Sequence, residues 1–175
     1  CNNICGTVLK WYEVQARFYN VPLFILDTPV CHTEFSSEVR TYVRRQVEEY
    51  LLFLEQVCGK KMDREKMAEV GRLSIAGQRL WQAVLDTTVH KPAPMSAFDA
   101  FFHLALIVTL RGTQIAVDYY KVLLAEMNTR ISEGISAVPF EKYRLLWDNL
   151  PVWYRTRWLS DKFAARGACL VADTY

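Results

Sequence analysis

Val21-Pro22-Leu23-Phe24-Ile25-Leu26-Asp27-Thr28-Pro29 is the stretch on which the reading of this chain turns. Its first six residues are apolar without a break, the pattern of a strand buried on both faces, as in a parallel sheet. It stops at the polar Asp27-Thr28-Pro29. In open α/β sheets the carboxyl ends of strands are where ligands bind. Just upstream, Thr7 to Tyr19 reads as a short helix: Val8, Trp11, Tyr12, Gln15 and Phe18-Tyr19 recur at helical spacing, and Asn20 closes it. Residues 1–30 are therefore expected to be part of an α/β unit.

The residues leading into that helix, Cys1-Asn2-Asn3-Ile4-Cys5-Gly6, set a thiol against its start. A helix start offers free N–H groups and a partial positive charge, which suits a thiolate or an anionic cluster. The spacing Cys1-x-x-x-Cys5 is a weak metal signal, because cluster and zinc sites show closer or more numerous ligands. Cys5 is the better placed of the two, directly before Gly6. With no initiator Met or leader ahead of this pattern, the chain is expected to be an internal piece of a longer protein.

From Cys31 to about Pro139 the pattern is helical. Ser36 or Ser37 caps a helix reaching Cys58, with Val39, Tyr42, Val43, Val47, Tyr50, Leu51, Leu54 and Val57 on one face and Gly59 as its stop. Asp63 caps the next helix, which runs to about Leu85, and Gly71 and Gly77 within it are expected to permit close helix packing. After Pro92 and Pro94 a third helix, about Ala97 to Leu110, is apolar nearly all round. Gly112 ends it, and Thr113 caps a fourth that runs to about Ser132 before Gly134. The last segment returns to α/β character: Tyr143–Trp147 as a strand, Trp153–Ala165 as a helix stopped at Gly167, and Ala168–Ala172 as a strand ending in the polar Asp173-Thr174-Tyr175.

Composition narrows the partners. Hydrophobic residues make up 51% and charged residues 23%, so a packed core is expected and disorder is not. The net charge is +2 with no basic block, which argues against nucleic acid. The longest apolar stretch, Phe98 to Leu110, is shorter than the roughly 20 residues a membrane span needs. Five cysteines are an odd count and do not form a disulfide framework, so a reducing compartment is expected, with most thiols buried and inert. Cys58 and Cys169 are expected to pack in the core, and Cys31-His32 to sit in a solvated loop. His90 is expected in a loop, and His103 as a hydrogen-bonded core histidine. Trp11, Trp81, Trp147, Trp153 and Trp158 are expected in the core. No phosphate-binding loop, zinc-protease or serine-hydrolase motif occurs.

Taken together, Asn2–Glu13, Val21–Pro29, Pro92-Ala93-Pro94, Arg111-Gly112-Thr113 and Tyr143–Asp148 resemble the 2-hydroxyacyl-CoA dehydratase and benzoyl-CoA reductase family along essentially the whole chain. The resemblance implies an α/β fold: parts of two Rossmann-like lobes joined by a helical segment, predominantly helical by residue count. Residues 1–30 are then the C-terminal part of the first lobe, 31–140 the helical connecting region and 141–175 the start of the second lobe. It also implies a cytoplasmic subunit of an anaerobic, oxygen-sensitive enzyme, with a [4Fe–4S] cluster held on three cysteines. Cys5 matches the middle ligand. The first ligand is expected upstream of Cys1 and the third downstream of Tyr175, while Cys1, Cys31, Cys58 and Cys169 match no ligand position.

By the same resemblance, two related subunits pair around an acyl-CoA thioester, and a separate ATP-hydrolysing iron–sulfur activator supplies electrons at low potential. The thioester is reduced to a ketyl radical anion and is then dehydrated or loses aromaticity. Ala97–Leu104 and Asp148–Trp153 are more similar to benzoyl-CoA reductase subunits, so that activity is expected. An (R)-2-hydroxyacyl-CoA dehydratase subunit is the alternative, and an electron-carrying or scaffold subunit is the alternative of another class. No catalytic residue is assigned.

Overall fold

Extended chain pairs with extended chain at the start of the molecule. In the computed structural model, which describes residues 1–31 and 34–174, Asn2 and Leu26 form an isolated parallel bridge. The Leu26 amide donates to the Cys1 carbonyl at 2.8 Å, and the Asn3 amide donates to the Leu26 carbonyl at 3.3 Å. Between them α1 (Gly6–Tyr19) makes the crossover and ends at Asn20, whose left-handed φ of 51° suits asparagine better than most side chains. The expected strand over Val21–Leu26 reduces to this one bridge, and it is not buried on both faces, since Val21 and Ile25 are exposed. A parallel strand is covered on both sides only where helices lie on both sides. Here cover is partial: Leu23, Phe24 and Leu26 are half-buried, the Phe24 ring lying 5.4 Å from both Tyr50 and Phe53 of α2 (Ser37–Cys58).

α2 begins where the hydroxyl of Ser36 accepts from the Val39 amide at 3.3 Å, and it ends at the left-handed Gly59. Neither α1 nor α2 contains a fully buried residue. They belong to the first of two compact units, Cys1–Arg64; the second is Glu65–Tyr175.

In the second unit α3 (Arg64–Asp86), α4 (Ala97–Thr109) and α5 (Gln114–Glu133) share a core of Trp81, Val84, Met95, Ala100, Ile107, Tyr120, Leu123 and Met127. Gly77 is buried on α3, yet a Cβ there would make only ordinary contact with Ile107 at 3.6 Å, and a Cβ at Gly71 would meet nothing within 4 Å, so the helices do not require glycine at either position. Gly112 has φ +78° and a Cβ there would sit 2.5 Å from Val70, which leaves no room for any other residue in the α4–α5 turn. The starts of α4 and α5 are capped, by a Ser96/Asp99 capping box for which the sequence raised no expectation and by Thr113 as expected. The fully buried Tyr120 hydroxyl accepts from the Ile107 amide at 2.9 Å and donates to the His103 carbonyl at 2.8 Å. A side chain of α5 is thereby inserted at one rung of α4.

α4 is apolar nearly all round because it has two neighbours. Its other face, through Ala97, Phe98 and Phe101, packs on Leu170, Trp147, Leu159 and Phe163. These belong to β1 (Tyr143–Trp147), α6 (Thr156–Ala164, entered through a 3-10 turn at Trp153–Arg155) and β2 (Ala168–Asp173). β1 and β2 pair in parallel, Tyr143 opposite Ala168 and Leu145 opposite Leu170, with an irregularity between Leu145 and Leu146. The chain is thus mostly helical, with a small two-stranded parallel sheet.

Candidate functional site

Cys5 is the residue from which α1 starts. Its backbone is extended (φ −117°, ψ 112°), its carbonyl accepts from the Leu9 amide at 2.9 Å, and no side chain caps the helix. The thiol is exposed. The chain before it is held firmly. The backbone nitrogen of Cys1 donates to the Phe24 carbonyl at 2.9 Å. The Asn3 side chain works in both directions: its oxygen accepts from the Thr28 amide at 2.9 Å, and its nitrogen donates to one oxygen of the Asp27 carboxylate. The other Asp27 oxygen accepts from the Tyr42 hydroxyl, and the Asp27 amide donates to the Gln46 side chain at 3.2 Å. Hydrogen bonding to the Asp27 carboxylate, more than burial, raises the Tyr42 phenol above its usual pKa.

This network joins the turn that carries Cys5 to the polar stop after Leu26. By sequence Tyr42 falls on the apolar face of α2, and Gln46 stands out in no pattern. Their one-turn spacing, opposite a strand-end carboxylate, was the available signal.

The other thiols divide differently from expectation. Cys1, Cys31 and Cys58 are exposed like Cys5, and only Cys169 is buried. Cys58 is therefore not a core residue: it lies in the last turn of a helix whose apolar face is only partly covered. Cys169 packs with Ala93 and Val138, and burial, followed by the nearby Glu141 carboxylate, pushes its thiol pKa up to about 11. His32, expected in the same loop as Cys31, lies outside the described residues, as does Tyr175.

Among the described residues no group of three or more His, Cys, Asp or Glu side chains could hold a metal ion. An iron–sulfur cluster takes several Cys thiolates. Cys5 fits as one such ligand, and the described residues do not complete the set.

The two described histidines, His90 and His103, sit in structural settings. His90 is exposed in a loop, and its carbonyl accepts from Arg144 at 2.9 Å. His103 is half-buried with Nδ1 2.7 Å from the Tyr119 hydroxyl; desolvation lowers its pKa, with Arg130 acting the same way and Asp99 opposing. Arg144 is the main joint of the second unit. It donates to the carbonyls of Thr88, Val89 and His90 and pairs with Glu141, whose carboxylate is 3% exposed and also accepts from the Ala93 amide. It borders a concavity of about 660 Å³ at the carboxyl end of β2, together with Asp86, Thr88 and Asp173. Of the five tryptophans only Trp81 and Trp147 join the cores; Trp11, Trp153 and Trp158 are more than half exposed. No helix among the described residues is long and apolar enough to cross a membrane.

The family described as 2-hydroxyglutaryl-CoA dehydratase, D-component, matches residues 1–175. The chain is 32% identical over 177 residues to the (R)-2-hydroxyglutaryl-CoA dehydratase subunit alpha of Acidaminococcus fermentans, covering 100% of this chain and 37% of that protein. It is 34% identical to the (R)-phenyllactyl-CoA dehydratase alpha subunit of Clostridium sporogenes, covering 100% of this chain and 44% of the other. With a benzoyl-CoA reductase subunit of Thauera aromatica it shares 31% over 98% of this chain and 42% of that one. The chain spans 37–44% of the length of these relatives. The chain belongs to the 2-hydroxyglutaryl-CoA dehydratase D-component family.

Proposed function

We propose that this member of the family is part of a cluster-bearing subunit acting on acyl-CoA thioesters, with Cys5 as one thiolate ligand of a [4Fe–4S] cluster. The observation that carries the reading is the position of Cys5. It is an exposed thiol at an uncapped helix start, beside the carboxyl end of a parallel pairing, on a turn fixed by Asn3 and Asp27. Thiolate ligands need an oriented backbone, and hydrogen bonds around them tune a cluster's potential. When bound, the cluster supplies a low-potential electron for reduction of the thioester. The chain's own contribution is to hold one ligand and to present N–H groups toward it.

The remaining ligands are proposed to lie in the longer protein, in α/β lobes of which residues 1–30 and 141–175 are parts, joined by 31–140. A second related subunit and an ATP-hydrolysing activator complete the proposed assembly, in the cytoplasm.

Dehydration of an (R)-2-hydroxyacyl-CoA is the substrate reading that the relatives' names favour, with identities of 32–34% to dehydratase alpha subunits. Reduction of benzoyl-CoA is the second reading, supported by the likeness of Ala97–Leu104 and Asp148–Trp153 to reductase subunits and by the Thauera relative at 31%.

The test is iron content and turnover of the full-length subunit pair, prepared anaerobically with its activator. A cluster on the wild-type subunit that is lost in Cys5→Ala supports the ligand assignment; a full cluster on the variant overturns it. The chain of 175 residues is expected to take up no stoichiometric iron. Turnover of the hydroxyacyl thioester alone supports dehydration, and turnover of benzoyl-CoA alone supports the second reading.

A further inference from the structure

The turn into α6 and its first residues expose rings that the sequence placed in the core. Trp153, Tyr154, Arg155, Arg157 and Trp158 line, with Phe102, an open concavity of about 480 Å³, a size within the range of small-molecule sites. Trp153 and Trp158 are 52% and 51% exposed, and Tyr154 is 86% exposed. A contiguous exposed apolar patch rimmed by polar residues marks an interaction or ligand site. The platform is anchored, because Trp153 lies edge-to-face on the buried Phe101, with centroids 6.1 Å apart.

Charge gives the surface its specificity. The Arg155 guanidinium is 6.0 Å and the Lys162 ammonium 5.6 Å from the Trp158 ring centroid. Among the described residues neither these two cations nor Arg157 takes part in an ion pair. Asp161 is the acidic residue of the lining, so positive charge predominates.

Arg155 and Lys162 lie over the Trp158 ring, while the neighbouring Trp153 and Tyr154 rings stay exposed, and such a mix of open aromatic faces and cations suits a flat ring that carries phosphates. Bases stack on Trp and Tyr faces, and arginine meets phosphate through its paired N–H groups. An apolar protein surface would leave these cations without a partner. We propose that this concavity holds the adenosine 3′,5′-bisphosphate end of an acyl-CoA. The inference rests on the acyl-CoA reading above and adds the place where the nucleotide end is gripped.

Titration of the 175-residue chain with adenosine 3′,5′-bisphosphate, followed by tryptophan fluorescence, is expected to show saturable quenching. Trp158→Leu and Arg157→Gln are each expected to weaken binding by about 10-fold, and Arg157→Lys to recover part of it. Circular dichroism checks that the variants fold. No binding to the wild-type chain, or unchanged binding in the Trp158→Leu/Arg157→Gln double variant, overturns the proposal.

In the full-length pair the same substitutions are expected to raise KM for the acyl-CoA about 10-fold at unchanged kcat, and to leave KM for the acyl-pantetheine thioester alone. Turnover of acyl-CoA with an unaltered KM sinks the nucleotide site and leaves the acyl-CoA reading standing. A pair that turns over no CoA thioester sinks that reading, while the fluorescence titration still decides the site.

Discussion

Residues 1–28 and residues 143–174 each run extended chain, helix, extended chain, and each pairs its two extended segments in parallel. Both end on Asp-Thr, at Asp27-Thr28 and Asp173-Thr174, and both cross-link that end to the end of the first segment. In the first, Asn3 holds Asp27 and the Thr28 amide. In the second, the Thr174 hydroxyl donates to Asp148 at 2.8 Å and accepts from the Asn149 amide at 3.0 Å.

The polar device is shared, and the apolar support is not. Leu170 of β2 is buried under α4 and α6 and Cys169 against Ala93 and Val138, whereas α1 buries no residue and the first pairing is a single bridge. A similar local chain path thus yields a packed sheet at one end and a polar-locked pairing at the other. The first depends on hydrogen bonds where the second depends on buried area, at about 25 cal/mol per Å² of apolar surface removed from water.

That contrast sets the order of the expected effects. Arg144→Ala strikes the packed end hardest. It strands the buried Glu141 carboxylate and three loop carbonyls, and it is expected to cost about 3 kcal/mol, read from denaturant unfolding. An unchanged unfolding midpoint would show that the second end does not depend on this joint.

Thiol reactivity separates the two ends next. Four exposed cysteines are expected to react with a disulfide reagent at pH 8 in the folded chain, and Cys169 only on unfolding. Raising its pKa from 9.0 to about 11 leaves roughly 100-fold less thiolate. Equal rates for Cys169 and Cys5 would mean that the second end opens as readily as the first.

Asn3→Ala tests the polar lock. It is expected to destabilise the first pairing by about 1–2 kcal/mol and to raise hydrogen exchange at Leu26 and Thr28, with no change at β2. Exchange that rises equally at both ends would remove the distinction.

The smallest effect concerns His103 on α4, the helix that covers the packed end. Its folded pKa lies below the ordinary 6.5, so between the two values the unfolded chain binds a proton that the folded chain does not. Stability is therefore present above pH 6.5 and lost as pH falls through that window. His103→Gln is expected to flatten this part of the stability–pH curve.

Much of the helical organisation is legible in the residues. Ser36, Gly59, Thr113, Gly134 and Gly167 end or begin elements where their caps and backbone angles predict, because capping is local chemistry. Cys5 at the start of a helix is legible for the same reason. Its supports are not: the bonds from Asn3 to Asp27 and from Tyr42 to Asp27 span 24 and 15 residues, and no local pattern encodes them. Cys58, Trp153 and Trp158 look like core residues by type, yet hydrophobic type says only what burial would gain, and burial needs a neighbour to supply the other surface.

The residues and their order were enough for the family, the candidate thiol and the places where helices start and stop, all of which depend on identity and short spacing. Folding in three dimensions decided which of two similar parallel pairings is packed and which is held by polar bonds. It also decided that Arg144 ties together the Thr88–His90 carbonyls and Glu141 within the second unit, and that Trp153 and Trp158 stand exposed among cations. Cover, desolvation and long-range hydrogen bonds are properties of neighbours, and the chain acquires those neighbours only when it folds.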